Sequence, residues 1–236
     1  MKTGKLYLIP CSLDDRAPDR FIPQEVKIVV SQLRQFIVEN EKTARRFIKA
    51  VSPQTSQQEL IIHVMNKHDP DSGIEKFLEP AVQGNDMGLM SEAGCPSIAD
   101  PGAVIVAAAQ RKNISVVPLS GPSSVVLALM ASGLSGQRFC FHGYLPINDE
   151  ELKARLLILE KDSHKKEEAQ IFIETPYRND RLLNTLLRVL SGTTLLCVAI
   201  GITTEEERIR TMTISGWKKL KIGIGKVPAV FIIQKK

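Results

Sequence analysis

Short apolar runs in this sequence are followed several times by glycine, proline and polar residues, a combination that can form a binding loop. One such segment is Ser91–Pro96, with the sequence SEAGCP. Its small residues let the backbone approach a ligand closely, and Glu92 offers a carboxylate to a ribose diol or an ammonium group. The alternative interpretation is a tight turn before a helix, with Asp100 as the cap and Pro101 at the first helical position.

A second segment of this kind is Leu119–Ser124, with the sequence LSGPSS. Either Ser120 or Ser123 can cap a following helix, and the unpaired N–H groups at a helix start attract a carboxylate or the polar part of a cofactor. Many capped helices have this pattern, so the segment is informative only together with its neighbours.

Two further segments carry ionisable side chains at predicted strand ends. In Phe139–Pro146, with the sequence FCFHGYLP, His142 is either a base or a structural residue. In the segment ETPYR, which begins at Glu174 and ends at Arg178, two interpretations are open. Either these two residues form an internal ion pair, or Arg178 binds a phosphate while Glu174 works in a cleft.

The apolar runs predict strands that alternate with helices along the first half of the chain. The predicted strands are 6–10, 35–39, 60–64, 87–91 and 114–119, and the predicted helices are 23–33, 41–51, 73–83 and 102–112. Strands separated by helices of this length form βαβ units with a mostly parallel sheet. Ligands bind such sheets beyond the carboxyl ends of their strands, which is where the binding segments of this half lie.

After Pro118 the pattern changes. Helices are predicted at 122–132, 150–161 and 177–190, and strands at 138–142, 169–174, 194–200, 209–214 and 229–234. Neighbouring strands at the end of the chain indicate a mixed sheet. We therefore predict an N-terminal α/β domain of residues 1–119 and a C-terminal α/β domain of residues 120–236. Two polar segments, 11–23 and 161–168, are predicted to be mobile connections.

The composition limits the possible partners. A net charge of +5 and a sequence pI of about 9.0 suit a nucleic-acid partner. Aromatic residues make up only 5%, which argues against an RNA-binding surface built from stacked rings. Scattered cysteines, the lack of a signal peptide and the lack of an apolar run of roughly 18 residues predict a cytoplasmic protein without a membrane partner. His63 and His68 have no partners at metal-ligand spacing, so no metal is predicted.

The order and spacing of these motifs resemble the tetrapyrrole methylase superfamily. The matching motifs, in chain order, are SEAGCP, DPG, PLSGPSS, FCFHGYLP and ETPYR, and the likeness extends from Leu6 to about Gln234. Within the superfamily, the chain is most similar to the RsmI-type branch, which methylates the ribose 2′-hydroxyl of a cytidine in small-subunit ribosomal RNA.

This resemblance implies a two-domain α/β fold, a homodimer, and S-adenosylmethionine bound in a cleft between the domains. Carried over by matched position, the cofactor-binding residues are Pro10, Ser91, Glu92, Ala93, Gly94, Pro96, Leu119, Ser120, Gly121, Pro122, Ser123 and Ser124. The catalytic candidates are Glu39, Glu92, Glu174 and Arg178, which would assist removal of the acceptor proton or bind phosphate. Residues 143–146 and 174–178 are the segments expected to contact RNA.

Three segments depart from the pattern of that branch. Residues 10–16, with the sequence PCSLDDR, stand in place of a glycine-bearing loop, and Asn40 stands in place of an aspartate after Glu39. Residues 199–204, with the sequence AIGITT, lack a charged Arg–Glu pair. Three hypotheses therefore remain: an RNA 2′-O-methyltransferase, a methyltransferase acting on a tetrapyrrole or other small molecule, and a non-catalytic module that binds the cofactor or the ribosome.

Overall fold

The computed structural model describes residues 3–65, 73–220 and 222–236. The contacts among them divide the chain into two compact units, residues 1–123 and residues 124–236. The sequence prediction placed this boundary four residues earlier, between residues 119 and 120. His68, one of the histidines considered above, lies outside the described residues.

Unit 1 has a parallel sheet with helices on both faces. In its described residues the strands are β1 (Lys5–Ile9), β2 (Gln35–Val38), β3 (Ile61–Val64), β4 (Met87–Met90) and β5 (Ser115–Pro118), in the order β3-β2-β4-β1-β5. All neighbouring strands pair in parallel. The helices are α1 (Gln24–Gln32), α2 (Glu41–Val51), α3 (Ile74–Phe77), α4 (Glu79–Val82) and α5 (Ala103–Arg111).

The centre of this sheet is buried from both sides. Every residue of β4 is buried, because one apolar cluster joins the sheet to α1 and α2 and a second joins it to α3, α4 and α5. Gly88 makes this packing possible: a Cβ there would lie 2.5 Å from Ile9 Cδ1 and 2.8 Å from Phe36 Cδ1. A strand buried on both faces reads as a continuous apolar run, which is why β4 was visible in the sequence.

Unit 2 has a mixed sheet. Its described strands are β6 (Phe139–Tyr144), β7 (Ala169–Glu174), β8 (Leu195–Ile200), β9 (Arg208–Thr213) and β10 (Ala229–Gln234), in the order β6-β7-β10-β8-β9. Only the β6–β7 pair among them is parallel. The helices are α6 (Ser124–Ser132), α7 (Asp149–Lys166), α8 (Asn179–Val189) and α9 (Ile214–Trp217), with a 3₁₀ turn at Pro176–Arg178.

The core of unit 2 lies between this sheet and helices α7, α8 and α9. Phe172 and Phe231 face each other from β7 and β10, with ring centroids 5.9 Å apart. The single tryptophan, Trp217, is buried, and its Nε1–H donates to the carbonyl of Leu196 at 2.8 Å. This α/β fold, with one parallel and one mixed sheet, confirms the predicted fold class.

Two predicted elements differ from the structure. The helix predicted at 73–83 is two short helices, α3 and α4, because Pro80 lacks the N–H that a continuous helix would need there. The mobile connection predicted at 161–168 was wrong, since α7 continues to Lys166. Its last turn is stabilised by the basic residues His164, Lys165 and Lys166 near the helix carboxyl end, and the Ser163 hydroxyl donates to the carbonyl of Glu168 at 2.7 Å.

No helix within the described ranges is long and apolar enough to cross a bilayer.

Candidate active site

The loops that follow β1 and β4 are joined by backbone hydrogen bonds. The Cys11 N–H donates to the carbonyl of Gly94 at 2.8 Å, and the Gly94 N–H donates back to the carbonyl of Cys11 at 3.1 Å. Gly94 has a φ of +75°, a conformation that glycine adopts without a Cβ penalty. The SEAGCP segment is therefore held against the residues directly after β1.

The loop that follows β5 packs against the same place. A Cβ added to Gly121 would lie 2.2 Å from Pro10 Cβ, so only glycine allows this close approach. The Cys95 thiol lies 3.5 Å from the carbonyl of Pro122. The structure thus brings the predicted cofactor segments of unit 1 together, at the carboxyl edge of the parallel sheet. Ser123 and Ser124 lie at the division between the two units, and Ser124 is the first residue of α6.

The end of β2 joins this group through Glu39. Its Oε1 atom accepts the backbone N–H of Glu92 at 3.1 Å. The next residue, Asn40, is the N-cap of α2, and its Oδ1 accepts the N–H of Thr43 at 3.2 Å. Asparagine and aspartate cap helices about equally well, so this departure from the branch pattern keeps the local structure.

The loop predicted to be mobile after β1 is anchored in its first residues. Ser12 and Asp14 are buried, and the Ser12 hydroxyl accepts the N–H of Asp14 at 3.1 Å. Asp15 pairs with Arg46 of α2 at 2.6 Å. Where the branch that this chain resembles has a glycine-bearing loop, this chain therefore has a turn that is held against α2.

An open hollow lies between this loop, α2 and the end of β4. It is lined by Cys11, Ser12, Asp14, Asp15, Pro18, Thr43, Ala44, Arg46, Phe47, Met90, Ser91 and Glu92. Thr43 and Arg46 are not among the site residues that the sequence predicts. They belong to the interior of an ordinary amphipathic helix, and nothing in their local pattern separates them from surface residues.

Asp100 does not have the predicted helix-cap position, because α5 begins at Ala103 and Gly102 precedes it. Its Oδ1 instead accepts the N–H groups of Ser97 at 2.9 Å and Gly102 at 2.7 Å, which closes the turn before the helix. Burial raises the pKa of the Asp100 carboxyl even though these N–H groups oppose the shift. Ser97 and Ala99 both have positive φ values, +70° and +64°, so this turn is strained.

Two carboxylates make the electrostatic potential at the Cys11 thiol more negative. Burial is the main cause that raises the pKa of the Cys11 thiol, and the charges of Glu39 and Asp100 raise it further. Such a potential stabilises a cationic group, such as a sulfonium or an ammonium, and opposes a phosphate.

Glu174 and Arg178, the predicted catalytic residues of unit 2, form an ion pair, which was one of the two interpretations of the ETPYR segment. Glu174 Oε1 accepts Arg178 Nε at 2.9 Å and Nη2 at 2.6 Å, and it also accepts the Thr175 N–H at 2.6 Å. The Glu174 side chain is buried. An oxygen that already accepts three N–H groups holds the 3₁₀ turn in place and is poorly placed to take a proton from a substrate.

His142 is a structural residue in a polar network. Its Nε2 lies 2.6 Å from Gln170 Oε1, and its Nδ1 lies 3.1 Å from Arg155 Nη2. Gln170 Nε2 in turn donates to Glu168 at 2.9 Å. Since the guanidinium can only donate, Nδ1 accepts and Nε2 carries the proton. With both ring nitrogens engaged, His142 ties β6 to β7 and α7.

The segment that lacks the Arg–Glu pair is a turn after β8. Gly201 has a φ of +57° and donates its N–H to the carbonyl of Pro228 at 2.9 Å. The Thr204 hydroxyl donates to the carbonyl of Gly201 at 2.7 Å, and Glu207 accepts the N–H of Thr203 at 2.7 Å. The Thr204 hydroxyl and the Glu207 carboxylate thus hold this turn.

No family model matches the chain. The curated relatives that it matches share one name. Ribosomal RNA small subunit methyltransferase I of Vibrio cholerae is 28% identical over 210 residues, which are 89% of this chain and 69% of the relative. The enzyme of the same name from Streptococcus pyogenes is 31% identical over 185 residues, 78% of this chain and 60% of the relative. That from Bacillus subtilis is 35% identical over 155 residues, 64% of this chain and 51% of the relative. The chain thus spans about half to two thirds of their length.

Solved structures share the fold. The methyltransferase CobJ matches with a TM-score of 0.63 and 17% identity, over 99% of this chain and 95% of that one. Uroporphyrin-III C-methyltransferase from Thermus thermophilus, complexed with S-adenosylhomocysteine, matches with a TM-score of 0.58 and 14% identity, over 98% of both chains. The chain is thus similar in sequence to ribosomal RNA small subunit methyltransferases I and similar in fold to these two methyltransferases.

Proposed function

We propose that this protein is an S-adenosylmethionine-dependent methyltransferase that acts on the ribose 2′-hydroxyl of a nucleotide in ribosomal RNA. The observation that carries the proposal is the meeting of four loops at the carboxyl edge of the parallel sheet of unit 1. Backbone hydrogen bonds join Cys11 to Gly94, Gly121 packs on Pro10, and Glu39 accepts the N–H of Glu92. These loops follow β1, β4, β5 and β2.

The chemistry of this edge fits the cofactor. S-adenosylmethionine carries a sulfonium, an ammonium, a carboxylate and a ribose diol. The negative field that acts on Cys11 favours the two cationic groups. Gly121 lets the loop after β5 pack closely against Pro10. Pro10, residues 91–96 and residues 119–124 would hold the cofactor. We assign Glu92, which is exposed at the strand end, to the polar groups of the cofactor and Glu39 to its positioning.

The cofactor would supply a methyl group on sulfur, and transfer would form a bond to the acceptor oxygen while the carbon–sulfur bond breaks and the hydroxyl proton leaves. Orientation alone can lower such a barrier by roughly 7–11 kcal/mol. A base that accepts the proton contributes about 10²–10⁴-fold. Among the catalytic candidates we favour Glu39 and Glu92, which lie where the cofactor would bind. Glu174 and Arg178 are less suitable, because they are hydrogen-bonded to each other.

RNA is the acceptor that we favour over a tetrapyrrole or another small molecule. The net charge of +5 suits a polyanion, and the relatives carry the name of ribosomal RNA methyltransferases. The departures from the branch pattern at Asn40 and at the turn after β8 suggested a non-catalytic module. Asn40 nevertheless caps α2, so this departure keeps the local structure. We also propose that the protein acts as a homodimer and in the cytoplasm, where its substrate is made.

Calorimetric titration with S-adenosylmethionine and S-adenosylhomocysteine tests the cofactor assignment. We expect a Kd in the micromolar range, which corresponds to about −8 kcal/mol. Transfer of a labelled methyl group to small-subunit ribosomal RNA, mapped by reverse transcription at low nucleotide concentration, then tests the acceptor. Binding of neither cofactor form, with and without RNA present, would refute the enzyme assignment. Methylation of a tetrapyrrole but not of RNA would refute the acceptor. Sedimentation velocity tests the dimer.

A further inference from the structure

Two of the chain's three tyrosines are exposed at one edge of the mixed sheet of unit 2. Tyr144 is the last residue of β6 and is 55% exposed, and Tyr177 lies in the 3₁₀ turn after β7 and is 80% exposed. Because β6 and β7 are parallel neighbours, roughly 4.8 Å apart, their carboxyl ends lie at the same edge. Neither tyrosine hydroxyl has a hydrogen-bond partner among the described residues.

Tyr177 is rigidly mounted although its ring contributes nothing to the core. Pro176 restricts the backbone before it, and the Glu174–Arg178 pair closes the turn around it. A side chain that is both held by its backbone and left in solvent is available to a partner. Only such a partner would shield most of the surface of the Tyr177 ring from water.

Lys226 lies beside this ring. Its Nζ is 5.3 Å from the centroid of the Tyr177 ring, and the described residues give it no acidic partner. Lys226 is exposed three residues before the start of β10, at Ala229, which pairs with Glu174 at the end of β7. The lysine and the tyrosine therefore belong to the same sheet edge.

The edge has two halves of different charge. The half formed by β6, β7 and the approach to β10 carries the two tyrosines and Lys226. The half formed by the turn after β8 carries three exposed glutamates, residues 205–207, which are followed by exposed Arg208 at the start of β9. A polyanion is attracted to the first half and repelled by the second, which favours one placement of the chain that binds there.

We propose that Tyr177, Tyr144 and Lys226 form a stacking platform for unpaired bases of an RNA, with a base on the Tyr177 ring and a neighbouring phosphate on Lys226. Every base has a π-face that an aromatic ring can stack on, but in a duplex these faces are covered. The low aromatic content argued against an extended stacking surface, and two rings are enough for one or two bases. The inference rests on the proposed function in taking RNA as the partner.

The test is binding of a single-stranded RNA of about twelve nucleotides, with 2-aminopurine at successive positions, followed by fluorescence quenching and anisotropy. Tyr177→Ala is expected to weaken binding at least about fivefold and to abolish quenching at one position, since stacking on an aromatic ring is lost. Tyr177→Phe keeps the ring and is expected to bind within about twofold of the wild type. Lys226→Ala should lower the slope of log K against log salt by about 0.7.

Matched controls come from the same unit. Phe139→Ala removes an exposed aromatic ring at the opposite end of β6, and Lys219→Ala removes an exposed lysine from outside the platform. Both are expected to bind RNA like the wild type. The proposal is overturned if Tyr177→Ala binds as tightly as the wild type, if both controls weaken binding equally, or if a duplex of the same sequence binds as tightly as the single strand.

The cofactor titration separates this proposal from the proposed function. Tyr177-dependent RNA binding by a protein that binds no S-adenosylmethionine would leave the platform standing and refute the methyltransferase. If Tyr177→Ala transfers methyl groups to RNA as fast as the wild type and binds RNA with unchanged affinity, the methyltransferase stands and the platform is refuted.

Discussion

The carboxylate of Glu39 accepts the backbone N–H of Glu92 at 3.1 Å, although the two residues are 53 positions apart in the chain. This hydrogen bond ties the end of β2 to the loop after β4, its neighbour in the sheet. The bond fixes the backbone of the SEAGCP segment and brings a carboxylate next to it, in the place where we propose that the cofactor binds.

Removal of that carboxylate should weaken cofactor binding. We expect Glu39→Ala to raise the Kd for S-adenosylmethionine roughly tenfold, because a hydrogen bond to a charged group contributes about 1.5–3 kcal/mol and part of the negative field is lost. Glu39→Gln keeps an acceptor and should cost less. Glu41→Gln, which changes an exposed glutamate paired with Arg45 on α2, is the control and should bind like the wild type. Calorimetry measures all three, and equal affinities would contradict the assignment.

Gly121 should be intolerant of a side chain. A Cβ there would lie 2.2 Å from Pro10 Cβ, and neither the proline ring nor the backbone can give way easily. We expect Gly121→Ala to lower the free energy of unfolding by about 1–3 kcal/mol, the usual cost of overpacking. Gly136→Ala is the matched control, since its Cβ would have no atom within 4 Å. Urea denaturation of both variants gives the comparison, and equal midpoints would disprove the close contact.

Asn40 acts as the N-cap of α2, so its replacement tests a departure from the branch pattern. Asn40→Ala should lower the free energy of unfolding by about 1 kcal/mol through loss of the cap. Asn40→Asp should keep the cap and gain about 0.3–1 kcal/mol at neutral pH and low salt, because a negative charge is favourable at a helix N-terminus. Chemical denaturation measures both. A destabilised Asn40→Asp variant would mean that nearby carboxylates outweigh the helix dipole.

The Glu174–Arg178 pair should be coupled in stability. We expect a double-mutant cycle with Glu174→Gln and Arg178→Met to give a coupling of about 1–3 kcal/mol in the free energy of unfolding, since both residues share one hydrogen-bonded pair. The exposed pair of Arg34 and Glu59 is the control, with an expected coupling below about 1 kcal/mol. A coupling near zero for the first pair would return Arg178 to the role of a phosphate ligand.

The buried thiol of Cys11 should make stability fall in alkaline solution. Burial raises the pKa of this thiol in the folded chain above the ordinary value of 9.0, so the unfolded chain releases the proton first. The stabilising contribution is complete below about pH 9 and is lost as pH rises, by about 1.4 kcal/mol per pH unit. Cys11→Ala should therefore show a shallower alkaline slope than the wild type, measured by urea denaturation between about pH 8 and pH 10.5. Parallel slopes would contradict a neutral buried thiol.

Local patterns in the sequence were sufficient for most elements. Helix α2 begins and ends at the predicted residues, and β4 is a short apolar run buried on both faces. The local rules failed where a second local effect competed. Pro80 divides a predicted helix, and the charged residues after Lys161 continue α7 because their basic members lie near its carboxyl end.

The sequence by itself determined which residues are at strand ends, because burial and turn chemistry act over a few neighbouring residues. It also carried the ordered motifs that resemble the tetrapyrrole methylase superfamily. Only the tertiary structure decided which of those ends meet. The order β3-β2-β4-β1-β5 brings Glu39 to Glu92 and Cys11 to Gly94, and the order β7-β10 brings Lys226 to Tyr177. Such pairings depend on how crossovers order strands that are distant in the chain, and no local pattern records that order.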